Sequence, residues 1–443
     1  MSDTIFALSS GSGRAGVAVI RLSGPSAGAA CTAFSGRPLP APRVATRVRL
    51  RDPDSGDALD DGLALWFPAP GSFTGEDVLE LHIHGGQAVI GGVLAALSRQ
   101  PDLVMAGPGD FTRRAFLAGK LDLTEAEGLI DLIDADTEAQ RRQALRQSSG
   151  ALGALYEGWR ARLVRVLAHV EALIDFPDEE LPESVMTAAE QGILGVTDEL
   201  SLHLADNRRG ERLRDGVQIA ILGAPNVGKS SLLNLLSRRD AAIVSAQAGT
   251  TRDIVEVHLD MGGFPVVLAD TAGIRESGDA VEAEGVLRAR ARARDVDLKL
   301  VVCDAAMPAE FGAADLVDGD TILVVNKIDL CPVREDPVFA SPALAVCPVS
   351  VRSGAGIDCL LAVLGKAVAD RFDVSGAPMI TRVRHRRAIE DCRDALVRAA
   401  SAPLPELAAE DLRLAVRALG RITGTVDVED LLDVIFREFC IGK

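Results

Sequence analysis

The apolar run Val217 to Leu222 leads directly into Gly223-Ala224-Pro225-Asn226-Val227-Gly228-Lys229-Ser230, and the helical pattern Ser231-Leu232-Leu233-Asn234-Leu235-Leu236 follows. The pattern G-x-x-x-x-G-K-S in that setting predicts a strand, a glycine loop and a helix start. Gly223 and Gly228 let backbone N–H groups close on phosphate oxygens, and the helix N-terminus adds its dipole. Asn226, Val227, Gly228, Lys229, Ser230 and Ser231 are the candidate phosphate contacts. Lys229 is placed to reach the β- and γ-phosphates, and the Ser230 hydroxyl to ligate Mg²⁺. Alone, the loop specifies only a nucleoside triphosphate.

Three later motifs narrow the base and the reaction. Asn326-Lys327-Ile328-Asp329 follows the strand-like Thr321 to Val325. An aspartate there can accept both N1–H and the exocyclic N2–H of guanine, a donor pair that adenine lacks, so GTP is expected over ATP. Asp270-Thr271-Ala272-Gly273 ends the strand Phe264 to Leu268, with Asp270 holding Mg²⁺ through water and the Gly273 amide sensing the γ-phosphate. Gly249-Thr250-Thr251-Arg252 supplies Thr251 as the switch magnesium ligand. The four motifs stand in the order and spacing of a guanine-nucleotide switch that hydrolyses GTP.

Ile274 follows Gly273 where Ras-type switches place a water-orienting glutamine. No arginine stands out as a finger in cis, and the missing charge stabilisation is worth about 10³ to 10⁵ in rate. The amide oxygen of Asn226 can help coordinate a monovalent cation, potassium, where a guanidinium would lie. An ordinary loop asparagine tolerating a turn satisfies the same sequence.

The formal net charge of −17 and pI near 4.9 exclude a protein whose main affinity comes from neutralising nucleic-acid phosphates. Any RNA contact is local or shared with a partner. Seven cysteines without a Cys-x-x-Cys pair or metal spacing read as reduced cytosolic thiols. No apolar run approaches about 18 residues and no secretory leader pattern opens the chain, so a cytoplasmic protein without membrane contact is expected.

At 443 residues the chain exceeds a single core. Residues 215–371 carry the GTPase pattern, a mostly parallel sheet with flanking helices. On both sides the pattern turns helical. Thr124-x-x-Glu127 reads as a capping box, and Leu152, Leu155, Trp159, Leu163, Val166, Leu167, Val170, Leu173 and Ile174 predict one helix of about 24 residues closing at Phe176-Pro177. Ile389 to Ala400, Leu412 to Leu419 and Val428 to Phe439 repeat the pattern. A helical domain of residues 120–214 and 372–443 interrupted by the GTPase domain, or three consecutive domains, both fit.

The first 119 residues differ. Short strand-like runs (Val17 to Leu22, Arg47 to Leu50, Leu63 to Phe67, Val78 to Ile83) between Gly, Pro and Asp predict an α+β domain. The peptides Ser72 to Gly86 and Gly109 to Lys120 are too polar and glycine-rich for core alone. His82 and His84 share one strand face, as metal ligands or as a satisfied sheet surface; no third ligand is evident.

Those two peptides, the Ser9 to Gly24 stretch with Arg14, Gly16 and Arg21-Leu22-Ser23-Gly24, the Asn-bearing loop, Gly249-Thr250-Thr251-Arg252-Asp253, Asp270 to Arg275 and the terminal Phe439-Cys440-Ile441-Gly442-Lys443 resemble the MnmE (TrmE) family of tRNA modification GTPases over essentially the whole chain. The resemblance implies a multidomain α/β and α+β fold: a tetrahydrofolate-binding, dimerising N-terminal domain and a helical domain into which a Ras-like P-loop domain is inserted. It implies a homodimer acting with the flavoprotein MnmG (GidA), in a heterotetramer or larger assembly, on the wobble uridine of certain tRNAs. The product carries an aminomethyl or carboxymethylaminomethyl group at carbon 5. The one-carbon unit comes from 5,10-methylene- or 5-formyl-tetrahydrofolate, contacted at positions matching Arg21, Glu80, Lys120 and Lys443. Asn226, Ser245, Gln247 and Thr250 match potassium ligands, with Ala246, Ala248 and Gly249 in the same nucleotide-binding loop, and Glu282 matches the residue that helps orient the water. GTP turnover would then gate the modification chemistry.

Three departures stand out. Ser350-Val351-Arg352 replaces the guanine-supporting Ser-Ala-Lys/Arg, and Ser10-Gly11-Ser12-Gly13 replaces the prolines often found before the Arg14 motif. Cys440 matches a family cysteine considered catalytic, but a small thiol at a helix end fits equally, since reactivity needs a lowered pKa. The rival readings are a potassium-dependent GTPase of ribosome assembly and a folate-dependent one-carbon transferase with a purely regulatory switch.

Overall fold

The computed structural model describes residues 3–11, 13–175, 183–238, 256–270, 296–307, 316–331, 342–372, 378–426 and 429–443. The fold is multidomain, mixed α/β and α+β. Its contacts divide the chain into two units, one of Met1–Ile130, Gln147–Val164 and Val416–Lys443, the other of Asp131–Arg146 and Arg165–Ala415.

In the first unit six strands, β1 (Thr4–Leu8), β2 (Ala15–Ser23), β3 (Thr46–Arg51), β4 (Ala58–Phe67), β5 (Val78–Gly85) and β6 (Leu103–Met105), form one sheet in the order β3-β4-β5-β2-β1-β6. Period-two alternation decides its faces. Ala18, Ile20 and Leu22 of β2 and Leu79, Leu81 and Ile83 of β5 are buried in a core shared with Phe34 of α1 (Ala27–Ser35) and Leu97 of α2 (Gln87–Ser98). Arg21 and Glu80 therefore fall on the opposite face, directly paired in the antiparallel register. There Ile5 and Ala7 pack with Phe111 of α3 (Asp110–Leu117).

Helix α4 (Leu123–Ile133) starts two residues before the expected cap. Asp122 Oδ1 accepts the Glu125 N–H at 2.8 Å, and Glu125 Oε2 accepts the Asp122 N–H at 2.7 Å, a reciprocal capping box. Thr124 and Glu127 are instead buried inside the helix, because Leu123 and Ala126 must face the cluster of Leu432, Ile435, Phe436 and Phe439. Helix α5 spans Glu138–Ser148 and α6 spans Ala151–Asp175, as the apolar spacing predicts; Phe176-Pro177 lies outside the described residues. Tyr156, rather than Leu155, takes the buried position on the seam, its ring centre 5.7 Å from that of Trp159 and tilted 37° to it.

The second unit holds α7 (Glu183–Leu204), α8 (Arg209–Asp215) and a second six-stranded sheet, β7 (Val217–Leu222), β8 (Glu256–Met261), β9 (Phe264–Asp270), β10 (Leu298–Asp304), β11 (Thr321–Asn326) and β12 (Ala345–Pro348). The order is β12-β11-β10-β7-β9-β8; all neighbours are parallel except β8 and β9. β10 and β11 are near-continuous apolar runs because both their faces are covered. From β7 the chain goes first to one side and then to the other, so the mouth of β7 is the topological switch point where α/β sheets bind ligands. Helix α9 (Lys229–Leu236) leaves from there. The helix Ile357–Phe372 covers the sheet, and the helices Val383–Ala400, Pro405–Thr423 and Glu429–Arg437 follow.

Among the described residues, no helix is long and apolar enough to cross a membrane.

Candidate functional site

At the end of β7 the loop tightens in a way its sequence requires. Gly223 has φ +142°, and a Cβ there would lie 2.2 Å from the Val302 carbonyl oxygen; Gly228 has φ +103°, and a Cβ would lie 2.4 Å from the Asn326 amide nitrogen. Asn226 adopts φ +62°, a left-handed conformation that asparagine tolerates. Lys229, nine-tenths buried, donates from Nζ to the carbonyls of Gly223 at 2.9 Å and Ala224 at 2.8 Å. Its ammonium is held at the loop mouth. Gly228 is the N-cap of α9, so the first helical N–H groups, including those of Lys229, Ser230 and Ser231, point toward the loop.

The base-side motif is locked onto this loop. The buried Asn326 amide donates to the Val227 carbonyl at 2.8 Å and accepts from the Val351 N–H at 3.1 Å. Ser350 Oγ donates to Asp329 Oδ1 at 2.7 Å and accepts the Ser353 N–H at 3.1 Å, holding the aspartate side chain. Val351 thus replaces the usual alanine of the motif without disturbing the serine. Lys327 has φ +67° and donates to Asp304 Oδ2 at 2.7 Å. Asn226, Gly228, Ser231, Asn326, Lys327 and Asp329 all line one cavity of about 540 Å³, walled further by Asn234, Arg238 and Arg352. The lining joins the phosphate loop and the start of α9 to the Lys327 and Asp329 side of the cavity, a match to a phosphate chain joined to a purine with paired donors.

The structure thus brings together the first and last motifs. The Asp270 backbone ends β9, in register with Ile221 beside the phosphate loop. Ser245, Ala246, Gln247, Ala248, Gly249, Thr250, Thr251, Thr271, Ala272, Gly273 and Glu282 lie outside the described residues, as does the Asp270 side chain.

A second cluster forms on the face of the N-terminal sheet against which α3 packs. Arg21 donates to Glu80 Oε1 from Nε at 3.0 Å and from Nη2 at 2.9 Å, and its guanidinium lies 5.8 Å from the ring centres of both Phe73 and Phe111. The chain end reaches the same place. Ser9 Oγ donates to the Gly442 carbonyl at 2.7 Å, and Ile441 pairs with Pro108. Burial and the Arg21 charge push the Lys443 amine below its ordinary pKa, while Cys440 and Glu80 pull it up. Arg21, Glu80 and Lys443 therefore sense one another. Lys120 is exposed, with its stem against Gly75 in the loop that carries Phe73. Two aromatic rings, the Arg21 and Lys443 cations and the Glu80 carboxylate are thus gathered on this face.

His82 Nε2 lies 3.4 Å from Glu80, and His84 Nδ1 lies 2.8 Å from Asp60. Among the described residues, no group of three His, Cys, Asp or Glu side chains could hold a metal ion. Cys440 is an exposed free thiol. Sequence reasoning passed over Asp304, Asn234 and Arg238. An aspartate closing an apolar strand carries no motif, and the other two become visible only once α9 is laid along the cavity.

Comparison with known proteins agrees. The family model "MnmE helical domain" matches residues 123–440, and "GTP-binding protein TrmE N-terminus" matches residues 4–120. The chain is 58% identical over 455 residues to the tRNA modification GTPase MnmE of Rhodospirillum rubrum, covering 100% of this chain and 99% of that protein. It is 57% identical over 445 residues to the protein of the same name from Parvibaculum lavamentivorans, with full coverage of both. A mitochondrial 5-taurinomethyluridine-[tRNA] synthase subunit of Danio rerio is 49% identical over 467 residues, covering 100% of this chain and 93% of that one. At such identity over both full lengths, this chain belongs to the MnmE family of tRNA modification GTPases.

Proposed function

We propose that this GTPase of tRNA modification binds GTP between the phosphate loop and the Asn326-Lys327-Ile328-Asp329 motif, and uses its hydrolysis to gate transfer of a folate-borne one-carbon unit toward the wobble uridine of tRNA. The observation that carries the nucleotide half is the buried Asn326 amide, which ties the guanine-reading motif to the phosphate loop at 2.8 Å. Asp329 reads the base, Lys229 and the loop amides hold the phosphates, and Gly273 senses the γ-phosphate. Ser230 and Thr251 are the magnesium ligands, with Asp270 acting through water. Ser230 fits, since it stands in the first turn of α9 at the loop mouth.

Asn226, Ser245, Gln247 and Thr250 are the proposed potassium ligands. Asn226 fits in being an amide held left-handed within the phosphate loop. Magnesium and potassium, when bound, supply positive charge against that developing on the phosphoryl oxygens. Glu282 orients the attacking water.

At the N-terminal domain, residues 1–119, Arg21 and, from the end of the chain, Lys443 bind the carboxylates of 5,10-methylene- or 5-formyl-tetrahydrofolate. Glu80 accepts from its ring N–H groups, and Lys120 lies at the rim. The helical domain comprises residues 120–214 and 372–443 and the GTPase domain residues 215–371. The protein acts in the cytoplasm as a homodimer with the MnmG flavoprotein. A ribosome-assembly GTPase is the lesser reading, because it gives the Arg21–Glu80 cluster no task.

Mass spectrometry of wobble nucleosides tests this in cells lacking the chain, complemented with wild type, Asp329→Asn or Arg21→Ala. Aminomethyl-type uridines should vanish, return with wild type and stay absent with either variant. Unchanged nucleosides in the deletion would sink the tRNA role.

A further inference from the structure

Asp304 and Asn326 end neighbouring strands in register. Beyond Asn326 the chain turns at once, with Lys327 at φ +67°, a conformation few side chains adopt without support. That turn throws the lysine back over β10, where Nζ meets Asp304 Oδ2 at 2.7 Å. The second carboxylate oxygen, Oδ1, accepts the Ala306 N–H at 3.0 Å. Both oxygens are engaged, so the carboxylate has a single orientation.

Lys327 also lies between two spaces. It lines the 540 Å³ cavity with Asn226 and Asp329, and a neighbouring 250 Å³ cavity with Asn226, Cys303, Asp304 and Met307. Lys327 and Asn226 are the residues the two linings share. Asp304 is 17% exposed and the Lys327 side chain 33%. Burial raises the Asp304 pKa, but the hydrogen bonds from Lys327 and Ala306 and the lysine charge outweigh it and hold the group below its ordinary value. The anchor is ionised at neutral pH.

We propose that Asp304 is a positioning residue for guanine nucleotide: it fixes the Lys327 ammonium so that the lysine stem stands as an apolar wall of the base-side cleft. The inference rests on the GTPase reading and deepens it. A free lysine is among the side chains with the most rotamers to lose, and an unanchored stem must be ordered at the expense of nucleotide binding. With the ammonium already held, four methylenes face the base in advance. Because Asp304 touches the lysine and not the phosphates, its loss falls on affinity and leaves the hydrolytic step alone.

The test is release of a fluorescent N-methylanthraniloyl GDP from the full-length protein, chased by excess GDP, together with kcat at saturating GTP. Asp304→Ala should speed release about tenfold while leaving kcat within about twofold. Asp304→Asn keeps an acceptor for Ala306 but gives up the charge-assisted bond, so it should fall between; it also carries the test if the alanine variant folds poorly. The decisive arm is the double-mutant cycle: in a Lys327→Met background, Asp304→Ala should change nothing further. Unaltered release in Asp304→Ala, or equal acceleration with and without the lysine, overturns the proposal. Failure of the wild-type protein to bind the GDP analogue at all would instead overturn the GTPase reading beneath it.

Discussion

The backbone N–H of Ala139 donates to the carbonyl oxygen of Gly263 at 2.9 Å. Helix α5 opens with a capping box in which Gln140 Oε1 accepts the Thr137 N–H at 3.1 Å and Thr137 Oγ1 accepts the Gln140 N–H at 3.4 Å. Ala139 would be left over, and the tip of the β8–β9 hairpin satisfies it. Gly262 and Gly263, at φ +65° and +92°, make the tight turn. The same hairpin runs on into Asp270, so α5 is a seat for the strand that carries that motif. A Cβ on Gly263 would lie 3.6 Å from the Glu138 Cβ, within the range of a disulfide. Glu138→Cys with Gly263→Cys should therefore cross-link on oxidation and raise stability by about 2–4 kcal/mol, less roughly 1 kcal/mol for a side chain at positive φ. Thermal melting with and without dithiothreitol reads the difference. No cross-link would mean the hairpin does not sit on α5.

Lys443 gives the N-terminal cluster a pH signature. Burial and Arg21 place its folded pKa below the ordinary 10.5. The folded protein thus loses this proton before the unfolded chain does. The cost of holding the charged amine is present at neutral pH and disappears as pH rises through the folded pKa toward 10.5. A carboxylate ligand needs the charged form, so its affinity should move the other way. Titration with 5-formyl-tetrahydrofolate at pH 7 and pH 9.5 should show weaker binding at the higher pH, and Lys443→Met should flatten that dependence. Equal slopes in the two proteins would remove Lys443 from the site.

The thiols divide by environment. Burial pushes Cys347 up to about 11 and Cys392 up to about 12, and raises Cys31 despite its hydrogen bond with Ser35. Cys359 and Cys440 are exposed. Brief iodoacetamide treatment at pH 8 should modify Cys359 and Cys440 and spare Cys347 and Cys392 until the protein is denatured. Peptide mass spectrometry distinguishes the two sets.

Much of this was legible where one residue type serves one geometry. Gly223 and Gly228 can be nothing larger, so the phosphate loop announces itself, and the seam from Leu152 to Val170 predicts α6 almost to the residue. What escaped was relational. β1 and β6 are short apolar segments whose strand character comes from pairing with each other and with β2. The cap of α4 is Asp122 and not Thr124, because tertiary packing turned Leu123 and Ala126 inward and carried the helix start with them. Phe73 and Phe111 reach Arg21 from separate loops and helices, and no spacing rule joins them.

Arg386 offers a last test, of what holds the root of the nucleotide-binding sheet. It is 7% exposed, donates from Nε to both oxygens of Glu211 at 3.0 and 3.1 Å, and from Nη2 to Asp206 at 2.7 Å. Its Nη1 donates to the Leu204 carbonyl at 3.2 Å. One guanidinium thus ties the end of α7 and the start of α8 to the helix Val383–Ala400, and α8 runs through Gly216 into β7 and the phosphate loop. Arg386→Met should destabilise by about 3–5 kcal/mol, since Glu211 is left buried and charged without its partner. Arg386→Lys should recover little, because a single ammonium cannot reproduce the fork. Adding Glu211→Gln and Asp206→Asn to the methionine variant removes the stranded charges and should restore the larger part. Urea denaturation of the three proteins decides between a charge effect and a packing effect: recovery in the triple variant requires the first, and its absence would assign the loss to the arginine's packing alone.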